Sequence, residues 1–397
     1  MLTSPSFPLR FADRLSRLQS NVFADMDRAK AKARAAGQSV IDLSLGSSDL
    51  PTPPHILQTI AAALEDPSTH AYMLFQGTRD FRQAAADWYT QRFGISVDPE
   101  TEVLALIGSQ EGTAHFPLAI LNPGDYALLL DPGYPSHTGG VYLAGGQLYP
   151  MPLTPENGFL PVFSHVPRTV LDQARMMVLS YPHNPTTAVA PLSFFQTAVE
   201  FCQRHGLVLV HDFPYVDLVF GSERAPSILQ ADPEKSVAIE FFTLSKSYNM
   251  GGFRVGYAIG NAQLIRALRQ VKAMVDFNQY LGILRGGIAA LRGPQDPVQQ
   301  TVQTFRSRRD AFVAALGQIG WDVPTPQATM YVWAPLPPAW RQDSIGFCTQ
   351  LVAQTGVAAS PGAGFGAGGE GYVRFALVQD PEILRQAVVQ IAEFLQA

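Results

Sequence analysis

The stretch T-L-S-K-S-Y-N-M-G-G-F-R-V-G, Thr243 to Gly256, directly follows an apolar run. It sets Lys246 at the end of a strand beside Thr243 and Ser245, with Arg254 eight positions further on. An amine so placed can condense with an aldehyde, and hydroxyls with a planar guanidinium can hold a phosphate. Pyridoxal phosphate carries both groups on one ring. Taken alone, the same letters also describe a solvated Lys and Arg in a Gly-rich loop, so the reading depends on what the rest of the chain supplies.

Other segments supply complementary chemistry. H-D-F-P-Y follows the apolar run Leu207 to Val210 and contains Asp212 and Tyr215. A carboxylate beside a pyridine nitrogen keeps it protonated, so that the ring can accept electrons. I-G-S-Q-E-G follows Val103 to Ile107 and opens a helix, putting Gly108, Ser109 and Gln110 where helix N-terminal N–H groups bind phosphate. D-P-G-Y-P carries Tyr134, and Y-P-H-N-P-T-T carries Asn184.

From about residue 40 to 377 these segments, in this order, resemble the class I and II aminotransferases, the fold type I pyridoxal phosphate enzymes. The resemblance makes Lys246 the cofactor lysine, Asp212 the partner of the ring nitrogen, and Tyr215 and Asn184 the contacts of the ring hydroxyl oxygen. Tyr134 would lie against the pyridine face, while Gly108, Ser109, Gln110, Thr243, Ser245 and Arg254 would hold the phosphate. S-P-G-A-G-F-G-A-G-G-E-G-Y-V-R-F ends in Arg374, which would grip the substrate α-carboxylate, with Asn184 and the Gly46 backbone of I-D-L-S-L-G-S-S-D-L-P-T-P beside it. H-A-Y-M-L-F-Q-G-T-R-D-F-R resembles the element whose tyrosine, here Tyr72, reaches the phosphate of a neighbouring subunit. A homodimer with shared sites is implied.

The expected activity is transfer of an amino group between an L-amino acid and a 2-oxo acid by a ping-pong mechanism, with Lys246 moving the proton from Cα. A β-lyase or decarboxylase of the same fold shares these cofactor contacts and is the alternative. A non-catalytic effector-binding domain of a transcription regulator would need a DNA-binding module, for which the first 40 residues are too short. I-G-S-Q-E-G-T-A-H and V-D-F-N-Q are somewhat similar to the LL-diaminopimelate branch, although that branch has Lys where Gln110 stands. Further departures are Phe81 for Leu, His183 before the Asn, Ser47 and Ser48 for an acidic-Pro pair, and Thr187 for Gly, where a local change in the turn is expected. Arg285 is a candidate for a distal carboxylate by location alone. Gly362 to Ala367 also fits the dinucleotide pattern G-x-G-x-x-A, but G-G-E-G and a strand follow where a helix is required.

These groups need a scaffold. Short apolar runs at Val103 to Ile107, Ala127 to Leu130, Met176 to Leu179, Leu207 to Val210, Ala238 to Leu244 and Val255 to Ile259 suit strands buried on both faces. Helical stretches separate them, so an α/β fold with three layers and a mostly parallel sheet is expected over residues 50–290. Residues 1–49 and 291–397 would form a smaller α+β domain. Helical patterns run from Ala262 to Leu291 and from Pro297 to Ile319, and a closing helix begins at Pro381.

The 397 residues are 47% apolar and only 15% charged, against an average of about 25% charged. Disorder driven by charge is excluded. Lys and Arg number 28 against 33 Asp and Glu, so the net charge of −5 favours neither nucleic acid nor an anionic membrane. Cys202 and Cys348 stand too far apart in sequence for a C-x-x-C motif and read as buried fillers; no metal site is expected. Arg10, Asp13 and Arg14 occupy the place of a signal h-region, and a soluble, cytoplasmic protein with small-molecule substrates is expected.

Overall fold

The computed structural model describes residues 9–18, 22–221 and 223–396; residues 1–8, 19–21, 222 and 397, which include both ends of the expected small domain, lie outside it. The strands are β1 (Ile41–Asp42), β2 (Val103–Leu106), β3 (Tyr126–Asp131), β4 (Gln147–Pro152), β5 (Ala174–Leu179), β6 (Val208–Asp212), β7 (Ala238–Thr243), β8 (Gly256–Gly260), β9 (Tyr331–Pro335), β10 (Val357–Ala358), β11 (Ser360–Pro361) and β12 (Tyr372–Ala376). A seven-stranded sheet has the order β2-β8-β7-β6-β5-β3-β4. Only β8 is antiparallel to its neighbours, β2 and β7.

Successive side chains of a strand point to opposite faces, and the core divides accordingly. Ala105, Leu128 and Phe242 enter one hydrophobic cluster, whereas Leu104, Leu129 and Phe241 enter another. The helices are α1 (Val22–Ala35), α2 (Pro54–Leu64), α3 (Arg79–Phe93), α4 (Ser109–Ile120), α5 (Pro135–Leu143), α6 (Arg168–Leu171), α7 (Leu192–His205), α8 (Leu244–Ser247), α9 (Ala262–Val275), α10 (Leu281–Arg292), α11 (Asp296–Gln318), α12 (Ser344–Thr355) and α13 (Pro381–Gln396). The first face is covered by α2, α3, α7 and α10 and the second by α4, α5 and α9, which makes three layers. A separate cluster gathers Leu43, Phe312, Phe347, Phe375 and Leu384 around the antiparallel order β11-β12-β9.

Helix ends follow local chemistry. Gly94 and Gly206 adopt positive φ and stop α3 and α7, and the Asn261 side chain caps α9 by accepting from Gln263 and Leu264 N–H. Cys202 and Cys348 are buried, and burial pushes both thiols up.

Two sequence expectations change. The pattern from Ala262 to Leu291 is two helices, broken between Val275 and Leu281. Asn278 Nδ2 donates to Met73 O at 2.9 Å, Gln279 Nε2 to Leu106 O at 3.0 Å and Tyr280 Oη to Ala63 O at 2.7 Å. These side chains satisfy distant carbonyls that helical periodicity cannot reveal. The second change is β4, an edge strand carrying Pro150 and Pro152, absent from the expected strands because proline masks the pattern.

One glycine ties the sheet to the loop that follows β2. A Cβ on Gly256 would stand 2.5 Å from Phe242 O and 2.8 Å from Ser109 N. Both neighbours are backbone and cannot give way cheaply. Gly256→Ala is expected to lower unfolding free energy by about 1–3 kcal/mol in denaturant titration. An unchanged midpoint would show that the loop before α4 is not pressed against β8.

Candidate active site

The carboxyl ends of parallel strands lie at one edge of a sheet, where α/β proteins place ligands. Here β2 delivers Gly108, Ser109 and Gln110, β3 delivers Tyr134, β5 delivers Ser180 and Asn184, β6 ends in Asp212, and β7 leads into Lys246. Because β8 runs the other way, its start lies at the same edge and brings Arg254 there. A cavity of about 360 Å³ is lined by Gly46, Ser47, Ser48, Ser109, Gln110, Tyr134, Asn184, Asp212, Tyr215, Thr243, Ser245, Lys246, Arg254 and Arg374. Gly108 adjoins that wall, since a Cβ there would meet Arg254 Nη2 at 2.6 Å.

Thr243 caps the single turn α8 by accepting from Ser245 N–H at 3.2 Å. The turn aims Lys246 Nζ at Gly46 O, 2.5 Å away. Desolvation, aided by the cations of Arg374 and Arg254, holds the Lys246 amine below the ordinary lysine value against the pull of Tyr331 and Asp212. Asp212 is 4% exposed. Its Oδ2 lies 3.0 Å from His137 Nε2, whereas Oδ1 is buried with no hydrogen-bond partner among the described residues. A buried carboxylate oxygen without a donor marks a place that a ligand N–H completes.

Arg374, from β12, crosses to the large sheet. Its Nη1 donates to Asn184 Oδ1 at 2.9 Å, and Nη2 donates to Ser44 O at 2.8 Å and to Ser360 Oγ at 3.2 Å. Tyr215 and Tyr331 join hydroxyls at 2.9 Å. Burial, then the neighbouring Tyr331, pushes the Tyr215 phenol well above its ordinary value. Burial also resists ionisation of Tyr331, but Arg374 and Lys246 outweigh it and hold that phenol below its ordinary value. Gly46 passes so close that a Cβ would stand 1.9 Å from the Tyr331 hydroxyl.

These residues fit pyridoxal phosphate: a buried amine for the aldehyde, a partnerless carboxylate oxygen for the ring nitrogen, and a helix N-terminus with Thr243, Ser245 and Arg254 for the phosphate. Tyr72 does not enter the cavity of its own chain. It is 87% exposed and packs on Phe277, ring centroids 5.7 Å apart. Arg285 also lies outside the cavity of its own chain, bound to Asp66 Oδ2 at 2.7 Å. Thr187 takes φ 65°, a left-handed backbone that glycine adopts without steric cost, and its N–H donates to His183 O at 2.8 Å. The Gly-rich run forms two short 3-10 turns, with Gly368 N–H donating to Asp131 Oδ1 at 2.9 Å, and no dinucleotide-binding helix follows it.

Residue reading missed His137 and Tyr331. His137 lies three positions after Tyr134 at the start of α5, a spacing that offered a signal; Tyr331 sits in an apolar strand and offered none. A larger cleft of about 840 Å³ between α3 and α11 holds none of the expected site residues.

The depressed amine gives a test on the cofactor-free chain. The folded state binds fewer protons than the unfolded state between the lowered Lys246 pKa and the unfolded value of about 10.4, so stability attributable to this group rises with pH across that window. Lys246→Met is therefore expected to be more stable than the parent at pH 7 by about 1 kcal/mol or more, the gain shrinking as pH approaches 10. A constant difference across pH, in denaturant titrations, would rule out a desolvated lysine.

Comparison with known proteins agrees with this geometry. Residues 38–391 match the family model described as aminotransferase class I and II. The chain is 44% identical over 386 residues, 97% of its length and 99% of the relative's, to an LL-diaminopimelate aminotransferase of Dehalococcoides mccartyi. Among solved structures, a probable N-succinyldiaminopimelate aminotransferase of Thermus thermophilus is 44% identical with a TM-score of 0.89, covering 94% of this chain and 99% of that one. Substrate-bound BacF of Bacillus subtilis is 34% identical with a TM-score of 0.94, covering 98% of each chain. The strand-end lysine, the buried carboxylate and the arginine of β12 thus sit in a chain that belongs to the class I and II aminotransferases, pyridoxal phosphate-dependent enzymes of amino-group transfer.

Proposed function

We propose that this cavity carries out transamination with Lys246 as the proton-transfer group, Asp212 as the partner of the ring nitrogen and Arg374 as the anchor of the substrate α-carboxylate. The observation that carries the reading is the meeting of these three with Arg254 in one cavity, from three separated parts of the chain. Pyridoxal phosphate, when bound, supplies an electron-accepting ring that lets the Cα–H bond of an amino acid break.

Each protein group has a definable task. His137 fixes Asp212 through Oδ2 and leaves Oδ1 to accept from the ring nitrogen. Asn184 spends Oδ1 on Arg374, so its amide nitrogen and the Tyr215 hydroxyl are the donors for the ring oxygen. Gly108, Ser109 and Gln110 offer the start of α4 to the phosphate, together with Thr243, Ser245 and Arg254. Tyr134 walls the cavity beside His137, ring centroids 5.9 Å apart. Desolvation of Lys246 raises its neutral fraction, which a base at Cα requires. Arg374 and the Gly46 segment then orient the amino acid, and the oxo acid that accepts the amino group binds in the same place.

The donor is proposed to be LL-diaminopimelate, on the strength of the named relatives at 44% identity over nearly the whole chain. A homodimer is proposed as well, with Tyr72 completing the partner's phosphate site. Its support is the exposure of Tyr72, Leu74, Met274 and Phe277, a grouping of large apolar side chains unusual for a monomer surface. The proposed division is a large domain of residues 50–290 and a small one of 1–49 with 291–397. The separate cluster supports it, although Tyr215, Leu218 and Phe220 of the large segment also pack there. A cytoplasmic location completes the proposal; among the described residues no helix is long and apolar enough to cross a membrane.

Arg374→Ala is expected to cut kcat/KM for amino acids by about 100-fold, since one member of a buried charge-assisted pair is lost. Amines lacking a carboxylate should change far less, and equal losses would remove Arg374 from the α-carboxylate. For the dimer, Lys246→Ala and Tyr72→Ala chains are to be mixed under conditions of proven subunit exchange. Random pairing makes about half of the dimers mixed, each with one intact site, so activity should rise toward about a quarter of the parent enzyme. Activity that never exceeds the mean of the two variants would place Tyr72 outside the neighbouring site.

A further inference from the structure

Of the charged side chains that line the cavity, Lys246, Asp212 and Arg254 face the cofactor and Arg374 faces the α-carboxylate. Asp27 and Lys30 of α1 remain, one helical turn apart on the same face. Ser44 links them to the substrate anchor: its carbonyl accepts from Arg374 at 2.8 Å, and its hydroxyl lies 3.2 Å from Lys30 Nζ. The α1 pair therefore borders the place where a substrate side chain leaves Cα.

The pair is unequal in what it can still bind. An ammonium has three N–H groups. Those of Lys30 meet Asp27 Oδ1 at 2.8 Å, Asp42 Oδ2 at 2.8 Å and Ser44 Oγ at 3.2 Å. Asp42 is also saturated, since its Oδ1 accepts from Ser44 N–H at 2.9 Å and Ser44 Oγ at 2.6 Å. Asp27 meets Lys30 through Oδ1, and its side chain, part of the cavity lining, is 73% exposed, which leaves Oδ2 open to solvent. Asp27, Lys30 and Asp42 together carry a net charge of −1, with Asp42 behind the cavity lining, and Gln110 adds no cation beside them.

We infer that Asp27 is a specificity-determining residue that selects amino donors carrying a second, distal ammonium. The inference rests on the transamination reading and deepens it. A donor ending in a bare carboxylate would meet the like charge of Asp27 and a Lys30 already engaged, whereas a distal ammonium finds the open Oδ2. A distal centre with both groups, as in diaminopimelate, satisfies Asp27 through its ammonium.

The test compares paired donors on the holoenzyme: LL-diaminopimelate against 2-aminopimelate, and lysine against norleucine, each pair differing in the distal amine. The parent enzyme is expected to favour the amine-bearing member in kcat/KM by about tenfold or more. Asp27→Asn should shrink that preference to about twofold, raising the rate with 2-aminopimelate and leaving that with norleucine unchanged, and Asp27→Lys should reverse the preference in the first pair. Equal loss for all four donors would make Asp27 a mere tether of α1 and overturn the inference. So would an unaltered ratio. Calorimetric binding of the same pairs to Lys246→Ala separates recognition from turnover. If the parent enzyme transfers no amino group but binding still shows the Asp27-dependent preference, the activity reading fails and the subsite stands. If amino groups move and neither assay shows the preference, only the subsite fails.

Discussion

Ionised side chains are costly to withdraw from water unless opposite charge or hydrogen bonds replace the lost solvation. The cavity at the sheet edge gathers the cations Lys246, Arg254 and Arg374 around the buried carboxylate of Asp212, apart from the Asp27–Lys30 pair on its α1 wall. That excess of positive charge suits the two anions the reaction brings, a phosphate and an α-carboxylate. It also sets the amine, because the neighbouring guanidiniums add to burial in lowering the proton affinity of Lys246. The same field acts on Tyr331, whose phenol is held down where the other buried phenols are pushed up.

Holding such a field requires rigid edges. Parallel strands deliver side chains from their carboxyl ends, and the reversed β8 adds Arg254 from its amino end. Behind the phosphate loop, Glu111 accepts from Ile107 N–H at 2.5 Å and from Lys272 Nζ at 2.8 Å, so the start of α4 is tied to α9. Burial keeps the Glu111 carboxyl above its ordinary value even with Lys272 beside it. The substrate side is built differently, from contacts between the two cores. Arg374 reaches Asn184 and Ser44, and Arg308 holds Asp49 at 2.6 Å. The Arg374 contacts thus depend on how the smaller core sits against the sheet, whereas Asp212, Lys246 and Arg254 are placed by the ends of sheet strands.

Several features were legible in the residues. Central strands could be read because both faces are buried, which leaves uninterrupted apolar runs such as Met176 to Leu179. Site residues could be read because chemistry at a strand end appears in sequence as a polar group directly after such a run, as with Asp212 and Lys246. Illegible features share a cause: their environment comes from distant segments. The break before Leu281 depends on carbonyls of Ala63, Met73 and Leu106, and the contact of Arg285 with Asp66 joins segments far apart in the chain.

By itself the sequence determined the α/β class, the family and most of the residues that line the cavity, since local periodicity and short motifs carry that information. Tertiary structure decided which side chains stay free to act. Asp212 keeps one buried oxygen without a partner among the described residues while His137 meets the other, and Asp27 meets Lys30 through one oxygen and leaves the other open to solvent. Asp42, of the same type and against the same Lys30, is saturated by Ser44. Hydrogen-bond saturation is a property of three-dimensional neighbours, and no spacing along the chain encodes it.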